Sequence, residues 1–295
     1  MRKILLQKLK ENKLMVSDGG WGTFLMAKGM EVGSCPELWN KNNYDDVFDI
    51  AKSYISAGSL IIKTNTFGGS SIKLNDYNIA DDCYLLNKLG AEISRKAAGE
   101  DNYVMGSIGP TGKFLFTGDV TEEELYNSFK LQAKALIEGG VDAILFETFY
   151  AIDEAECAIK SVKDNFDIPI FCTFTFEKGE DGNFRTMMGV DINSFTEQIG
   201  KYDINVIGTN CGNGFAEMVT IVKEIKSKNL DIPIMVNSNA GMPEIIDGKL
   251  YFPETSEYIK TIIPELINAG ANIIGGCCGT TPEHIKVIKK VIEGS

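Results

Sequence analysis

Eight short apolar runs punctuate the chain, at 15–18, 60–66, 103–108, 143–148, 169–176, 206–210, 233–238 and 272–276. They are nearly continuous and do not alternate with polar residues, the pattern of parallel strands covered on both faces. Between them the apolar positions move to helical spacing and predict helices at 45–57, 81–98, 121–138, 153–163, 193–199, 216–228, 254–268 and 282–293. The clearest is 121–138, where Thr121 and Glu124 make a capping box and Leu125, Phe129, Ala133, Leu136 and Ile137 share one face. Ala57-Gly58-Ser59, Gly139-Gly140-Val141-Asp142 and Ala269-Gly270-Ala271-Asn272 read as helix ends feeding a strand. Eight alternations with no second block of different character predict a single α/β domain over residues 1–295, folded as a (β/α)8 TIM barrel. A doubly wound open sheet is the alternative, and it ordinarily has fewer strands.

A net charge of −12 argues against nucleic acid or an anionic membrane as partner. No apolar run approaches the roughly 18 residues of a membrane span, and residues 1–7 have too short an apolar stretch for a signal peptide. Seven cysteines, an odd number without the spacing of a small disulfide scaffold, fit a reduced compartment, so a cytoplasmic location is expected. Asp18-Gly19-Gly20-Trp21-Gly22-Thr23 is glycine-rich but lacks the spacing of a dinucleotide fingerprint, and no Walker loop is present.

In such a barrel the chemistry sits where the strands finish, and here those ends are polar. They read Asp18-Gly19-Gly20, Lys63-Thr64-Asn65-Thr66, Ser107-Ile108-Gly109-Pro110, Glu147-Thr148, Asn210-Cys211-Gly212, Asn237-Ser238-Asn239 and Cys277-Cys278. Neighbouring side chains on a strand point to opposite faces, so both sulfurs of the Cys277-Cys278 pair reach one point only if the backbone bends, which Gly275, Gly276 and Gly279 permit. Taken alone, the pair also reads as two small buried residues. Cys211 ends another strand of the same barrel, and three thiolates with one open position make a catalytic zinc site: Cys211, Cys277 and Cys278 are the expected ligands. Cys35, Cys83, Cys157 and Cys172 read as packing residues. His284, the sole histidine, reads as a surface or capping residue, and without a second histidine a serine- or cysteine-based triad is not expected. Asp18 and Glu147 are either loop and cap carboxylates or, with the Gly19 and Gly20 N–H groups and the Thr64 hydroxyl, a clamp for an amino acid. The carboxylates would take its ammonium, and the N–H and O–H groups its carboxylate.

Together these stretches resemble the homocysteine S-methyltransferase family. The resemblance runs almost end to end, through Asp18–Thr23, Thr64-Asn65-Thr66-Phe67, the 106–112 segment, Glu147-Thr148, Gly208-Thr209-Asn210-Cys211, Asn239-Ala240-Gly241-Met242-Pro243 and Gly275-Gly276-Cys277-Cys278-Gly279. It implies zinc on Cys211, Cys277 and Cys278 and a homocysteine amino group met by Asp18 and Glu147. The betaine-using branch is less similar, with a tyrosine where this chain has Gly68. The 239–243 run is similar to the cobalamin-dependent branch and implies that Asn239 can fill zinc's open position before substrate arrives. No folate, cobalamin or reactivation module is found within these residues, so a methyl-corrinoid (methylcobalamin or a relative) is expected on a separate protein or domain.

The expected reaction is methylation of homocysteine to methionine. A free thiol with a pKa near about 8.5 is mostly protonated at neutral pH, and zinc coordination removes its proton without a protein base. One alternative donor is S-methylmethionine or another sulfonium, which needs an aromatic pocket to which Trp21, Phe67 and Phe114 are the candidates. An alternative of another class is a non-catalytic zinc-and-thiol-binding module.

Overall fold

The computed structural model describes residues 2–11, 13–246 and 249–294. Met1, Asn12, Asp247, Gly248 and Ser295, part of the expected 1–295 span, lie outside the described residues. One parallel sheet contains β1 (Met15–Val16), β2 (Ile61–Lys63), β3 (Tyr103–Ile108), β4 (Ala143–Phe149), β5 (Ile170–Phe174), β6 (Val206–Asn210), β7 (Ile234–Ser238) and β8 (Ala271–Gly276). Each strand pairs with the next in sequence from β2 to β8, and β8 returns to β1. The seam between β1 and β2 is stitched by the Leu60 N–H donating to the Val16 carbonyl at 2.9 Å and the Lys63 N–H donating to the Asp18 carboxylate at 2.7 Å. A side-chain oxygen thus replaces a strand carbonyl where the barrel closes.

Among the described residues, eight of the longer helices follow the strands and cover the sheet: α1 (Tyr44–Ala57), α2 (Cys83–Ala98), α3 (Glu122–Glu138), α4 (Ile152–Lys163), α5 (Ile192–Gly200), α6 (Phe215–Ser227), α7 (Ser256–Ala269) and α8 (Pro282–Glu293). The Thr121–Glu124 capping box of α3 is formed, with both partners bonding the other's backbone. The outward strand faces and inward helix faces make one large core, through which Phe129, Phe146, Phe149, Phe174 and Phe195 run in edge and tilted contacts. Full burial of each such ring stabilises by about 1.5–3 kcal/mol. Among the described residues no helix is long and apolar enough to cross a membrane.

Most boundaries fall within a residue or two of those expected. The run 60–66 is the exception, its strand stopping at Lys63, and the strand of the run 15–18 also ends early, at Val16. Beyond those points side chains take over the ladder's donors: Asp18 accepts from the Lys63 N–H, and the Thr64 hydroxyl accepts from the Ser107 N–H at 3.0 Å. The helix Arg2–Lys10 was not expected. Leu5 and Leu9, one helical turn apart, are buried with Met15, Ile61, Met105, Leu145, Phe171 and Met235, alternate strand residues that form a second core separate from the outer one. The helix therefore plugs the amino-terminal end of the barrel.

Candidate active site

The last strand delivers its cysteines through a bend. Gly276 N–H donates to the Asp18 carbonyl at 2.8 Å, Cys277 N–H to the Ser238 carbonyl at 2.7 Å, and Thr280 N–H closes a turn onto the Cys277 carbonyl at 3.2 Å. The glycines are there for space: a Cβ on Gly276 would lie 2.1 Å from the Thr280 hydroxyl oxygen, and one on Gly275 2.6 Å from Ser17. Cys211 follows β6 in the left-handed region at φ +59°, a conformation that costs a non-glycine residue about 1–3 kcal/mol and that turns its thiol off the strand line. Its N–H donates to the Asn237 carbonyl at 3.0 Å, which fixes it beside β7. As a result the sulfurs of Cys211, Cys277 and Cys278 all lie within 4.8 Å of one another.

All three line a cavity of about 510 Å3 that opens past Gly20, Trp21, Lys63, Thr64, Phe67 and Glu147. S–H donation from Cys277 and Cys278 pulls Cys211 down to about 3, and the same contacts push Cys278 up. The bare cluster therefore favours one thiolate, and only a cation at its centre lets all three ionise. The Asn239 amide reaches Cys211, while its Oδ1 is buried with no hydrogen-bond partner. Three soft sulfur donors, one orphaned oxygen and an open cavity side fit a four-coordinate zinc with a replaceable fourth ligand.

Asp18 and Glu147 come together, but around a third residue. Lys63, at the end of β2, is 4% exposed, and its Nζ lies 3.5 Å from Glu147 Oε2 and 3.7 Å from Asp18 Oδ1. Burial alone lowers Lys63, yet Glu147, Asp18 and Cys277 outweigh it, and its net shift is upward. Asp18 is fully buried. Its Oδ2 accepts from Trp21 Nε1 at 2.8 Å and from Lys63 N–H, and its Oδ1 accepts from the Ser17 hydroxyl at 3.4 Å. Glu147 accepts from the Ser107 hydroxyl through Oε1.

The expected carboxylate cradle is largely spent within the protein. Gly20 N–H donates to Thr280 Oγ1 at 3.0 Å. The Thr64 hydroxyl accepts from Ser107 N–H and pairs with Thr66, whose own proton goes to the Ser107 carbonyl. Gly20 and Thr64 line the cavity; Gly19, Asp18 and Asn239 stand behind it. Trp21 and Phe67 are on the cavity, whereas Phe114 makes tilted ring contacts with Phe116 and Tyr150 away from it. Cys35, Cys83, Cys157 and Cys172 are buried. His284 caps α8, with Nδ1 accepting from Thr281 N–H at 3.2 Å and Nε2 donating to the Glu254 carbonyl at 2.9 Å, and it is buried, not on the surface. Sequence reasoning named Lys63 only among the polar strand ends and gave it no role, although a lone lysine closing an apolar strand was a visible signal.

This chain is 30% identical to methionine synthase from Mycobacterium leprae over 98% of its length, and 30% identical to methionine synthase from Mycobacterium tuberculosis over 95%. It spans about a quarter of the length of these relatives. Among solved structures, the metallated form of the homocysteine methyltransferase MmuM from Escherichia coli superposes with a TM-score of 0.77 at 22% identity, covering 98% of both chains, and so shares the fold. The sequence profile of the homocysteine S-methyltransferase family matches residues 15–292, nearly the whole barrel, and the chain belongs to that family.

Proposed function

We propose that this chain methylates the sulfur of homocysteine, with zinc on Cys211, Cys277 and Cys278 and a methyl-corrinoid on a separate protein or domain as donor. The observation that carries this reading is the convergence of three thiols from β6 and β8 at one cavity that also presents charged groups suited to an amino acid. When bound there, zinc would supply the acidity that keeps a substrate thiol deprotonated at neutral pH. The chain's own residues do the rest. Glu147 faces the cavity as the acceptor for the substrate ammonium, Asn239 stands beside Cys211 with a free carbonyl oxygen, and Trp21 and Phe67 give the cavity an apolar wall. No histidine serves as base, since His284 is committed to the α8 cap.

A corrin ring is too large to enter a side-chain-filled barrel, so it would be presented at the mouth, above the loops that follow the strands. About three quarters of the length of the methionine synthase relatives lies outside the region matched here, which leaves room in them for a donor-carrying domain. A second reading has one observation in its favour: Trp21, Phe67 and Tyr77 line the cavity together with the buried Glu37 carboxyl, a lining suited to a small sulfonium. The experiment offers homocysteine with methylcobalamin, a methyl-corrinoid protein or S-methylmethionine at matched concentration and measures methionine. Turnover with the corrinoid donors, faster when the donor is protein-bound, is the expected result. Fast turnover with S-methylmethionine alone would establish the second reading, and no turnover with any donor would leave only a binding module.

A further inference from the structure

The fourth strand reaches the cavity through a bulge. Between Phe146 and Phe149 β4 advances three residues while its partner β5 advances two, from Cys172 to Phe174, so Glu147 and Thr148 share the place of one residue. A bulge of this kind takes the backbone off the ladder and re-aims its side chains. Thr148 lines the cavity there at φ +64°, in the left-handed region that a β-branched residue rarely enters. What holds it comes from two strands away. The fully buried Asn210 side chain, at the end of β6, accepts from the Thr148 N–H at 2.8 Å and donates through Nδ2 to the Thr148 hydroxyl at 2.7 Å. Its Oδ1 also accepts from the Thr173 hydroxyl on β5 at 2.6 Å, so one amide ties three neighbouring strands. Cys211 follows Asn210, and Glu147 precedes Thr148. A single side chain thus joins the strained turn that aims a cluster thiol to the strained bulge that aims the cavity carboxylate.

We propose that Asn210 is a positioning residue that fixes the spacing between the cysteine cluster and Glu147, and that this spacing selects the substrate by length, taking a thiol amino acid with two methylenes before its sulfur over one with a single methylene or three. This rests on the homocysteine reading above, leaves the roles given there unchanged, and adds the part that sets the distance between them. A ligand held at both ends is measured only if both ends stay fixed. The closed barrel fixes most of that distance, since β4 stands four strands from β8, across the ring. The bulge is the segment that could still give, and the clamp on it is Asn210. A strained segment relaxes once its supports are removed. Without the clamp, Glu147 could follow a shorter or longer ligand, and a difference of one methylene would no longer be felt. In a rigid pocket that difference is worth about tenfold or more.

The test titrates the zinc-loaded full chain, at matched metal content, with homocysteine, with cysteine, and with 2-amino-5-mercaptopentanoic acid, which is one methylene longer. The wild-type chain should prefer homocysteine to each of the others by about tenfold or more. Asn210→Ala, which removes the clamp, and Thr148→Gly, which removes the hydroxyl it grips and suits the positive φ, should bring both preferences within about threefold. Thr148→Ser keeps the hydroxyl and should keep the preferences. A role in folding alone would weaken the three thiols alike, so unchanged ratios in Asn210→Ala and Thr148→Gly would overturn the proposal. Equal binding of the three thiols by the wild-type chain would overturn it as well. Should Asn210→Ala not fold, the Thr148→Gly and Thr148→Ser pair decides alone, equal ratios in the two overturning the assignment. If the wild-type chain bound none of the three, the proposed function would fall first, a result distinct from any of these.

Discussion

Replacing Asp18 tests the seam of the barrel and the charge arrangement of the site at once. Its Oδ2 takes both short bonds, from Trp21 Nε1 at 2.8 Å and Lys63 N–H at 2.7 Å, while Oδ1 faces Lys63 Nζ at 3.7 Å. Asparagine can keep a carbonyl oxygen in the Oδ2 position and with it both short bonds. Its amide nitrogen then faces an ammonium, and the ion pair is gone. At 3.7 Å and an effective dielectric constant of about 20, that pair is worth about 4–5 kcal/mol before desolvation. Relief of the buried charge and the remaining Lys63–Glu147 contact offset much of this, so Asp18→Asn should cost about 2 kcal/mol. Asp18→Ala also strands the Trp21 and Lys63 N–H donors in a dry seam, at about 1–3 kcal/mol each, and should cost at least about 2 kcal/mol more than the asparagine variant. Urea denaturation monitored by circular dichroism, with metal content matched between samples, measures both differences. Equal losses in the two variants would refute the idea that the two short bonds hold the seam. An asparagine variant within about 0.5 kcal/mol of wild type would refute the contribution of the ion pair.

Other consequences follow from the same geometry. Cys211→Ala, Cys277→Ala and Cys278→Ala should each lose most of about one bound zinc per chain by elemental analysis, whereas Cys83→Ala, buried beside Leu74 and Leu86, should keep it. The metal-free protein should stay folded, since the two cores do not include the site. Burial raises Glu154 from 4.5 to about 7, against the pull of its bonds from the Thr111 hydroxyl and N–H. The folded chain thus holds a proton that the unfolded chain releases, and stability should fall by up to about 3 kcal/mol as pH rises from 5 to 8. Glu154→Gln should flatten that slope in denaturation curves taken across the range, and an unchanged slope would assign it to another group. Leu5→Ala should cost about 2–4 kcal/mol by opening a cavity in the amino-terminal plug, read as a lowered denaturation midpoint.

Much of this protein was legible in one dimension. Parallel strands covered on both faces must be apolar along their whole length, so the eight runs stood out, and the helices between them carried their own caps, as at Thr121 and Thr281. Strand ends that face a cavity need not be apolar, which is why Asp18, Glu147, Cys211 and the Cys277-Cys278 pair could be picked out by position alone. The sequence does not contain the direction in which each side chain leaves a bending strand end, nor which lone pairs are already used. Only the closed barrel decides that the side chain of Asp18 substitutes for a strand carbonyl across the β1–β2 seam, that Thr280 takes the Gly20 N–H, and that Lys63 stands between two carboxylates. The helix at Arg2–Lys10 has the same character, because Leu5 and Leu9 acquire their meaning from alternate residues of eight strands up to 268 positions away in sequence, from Leu5 to Ile273. Periodicity is a property of neighbours along the chain, whereas hydrogen-bond satisfaction and the filling of a barrel's end belong to neighbours in space.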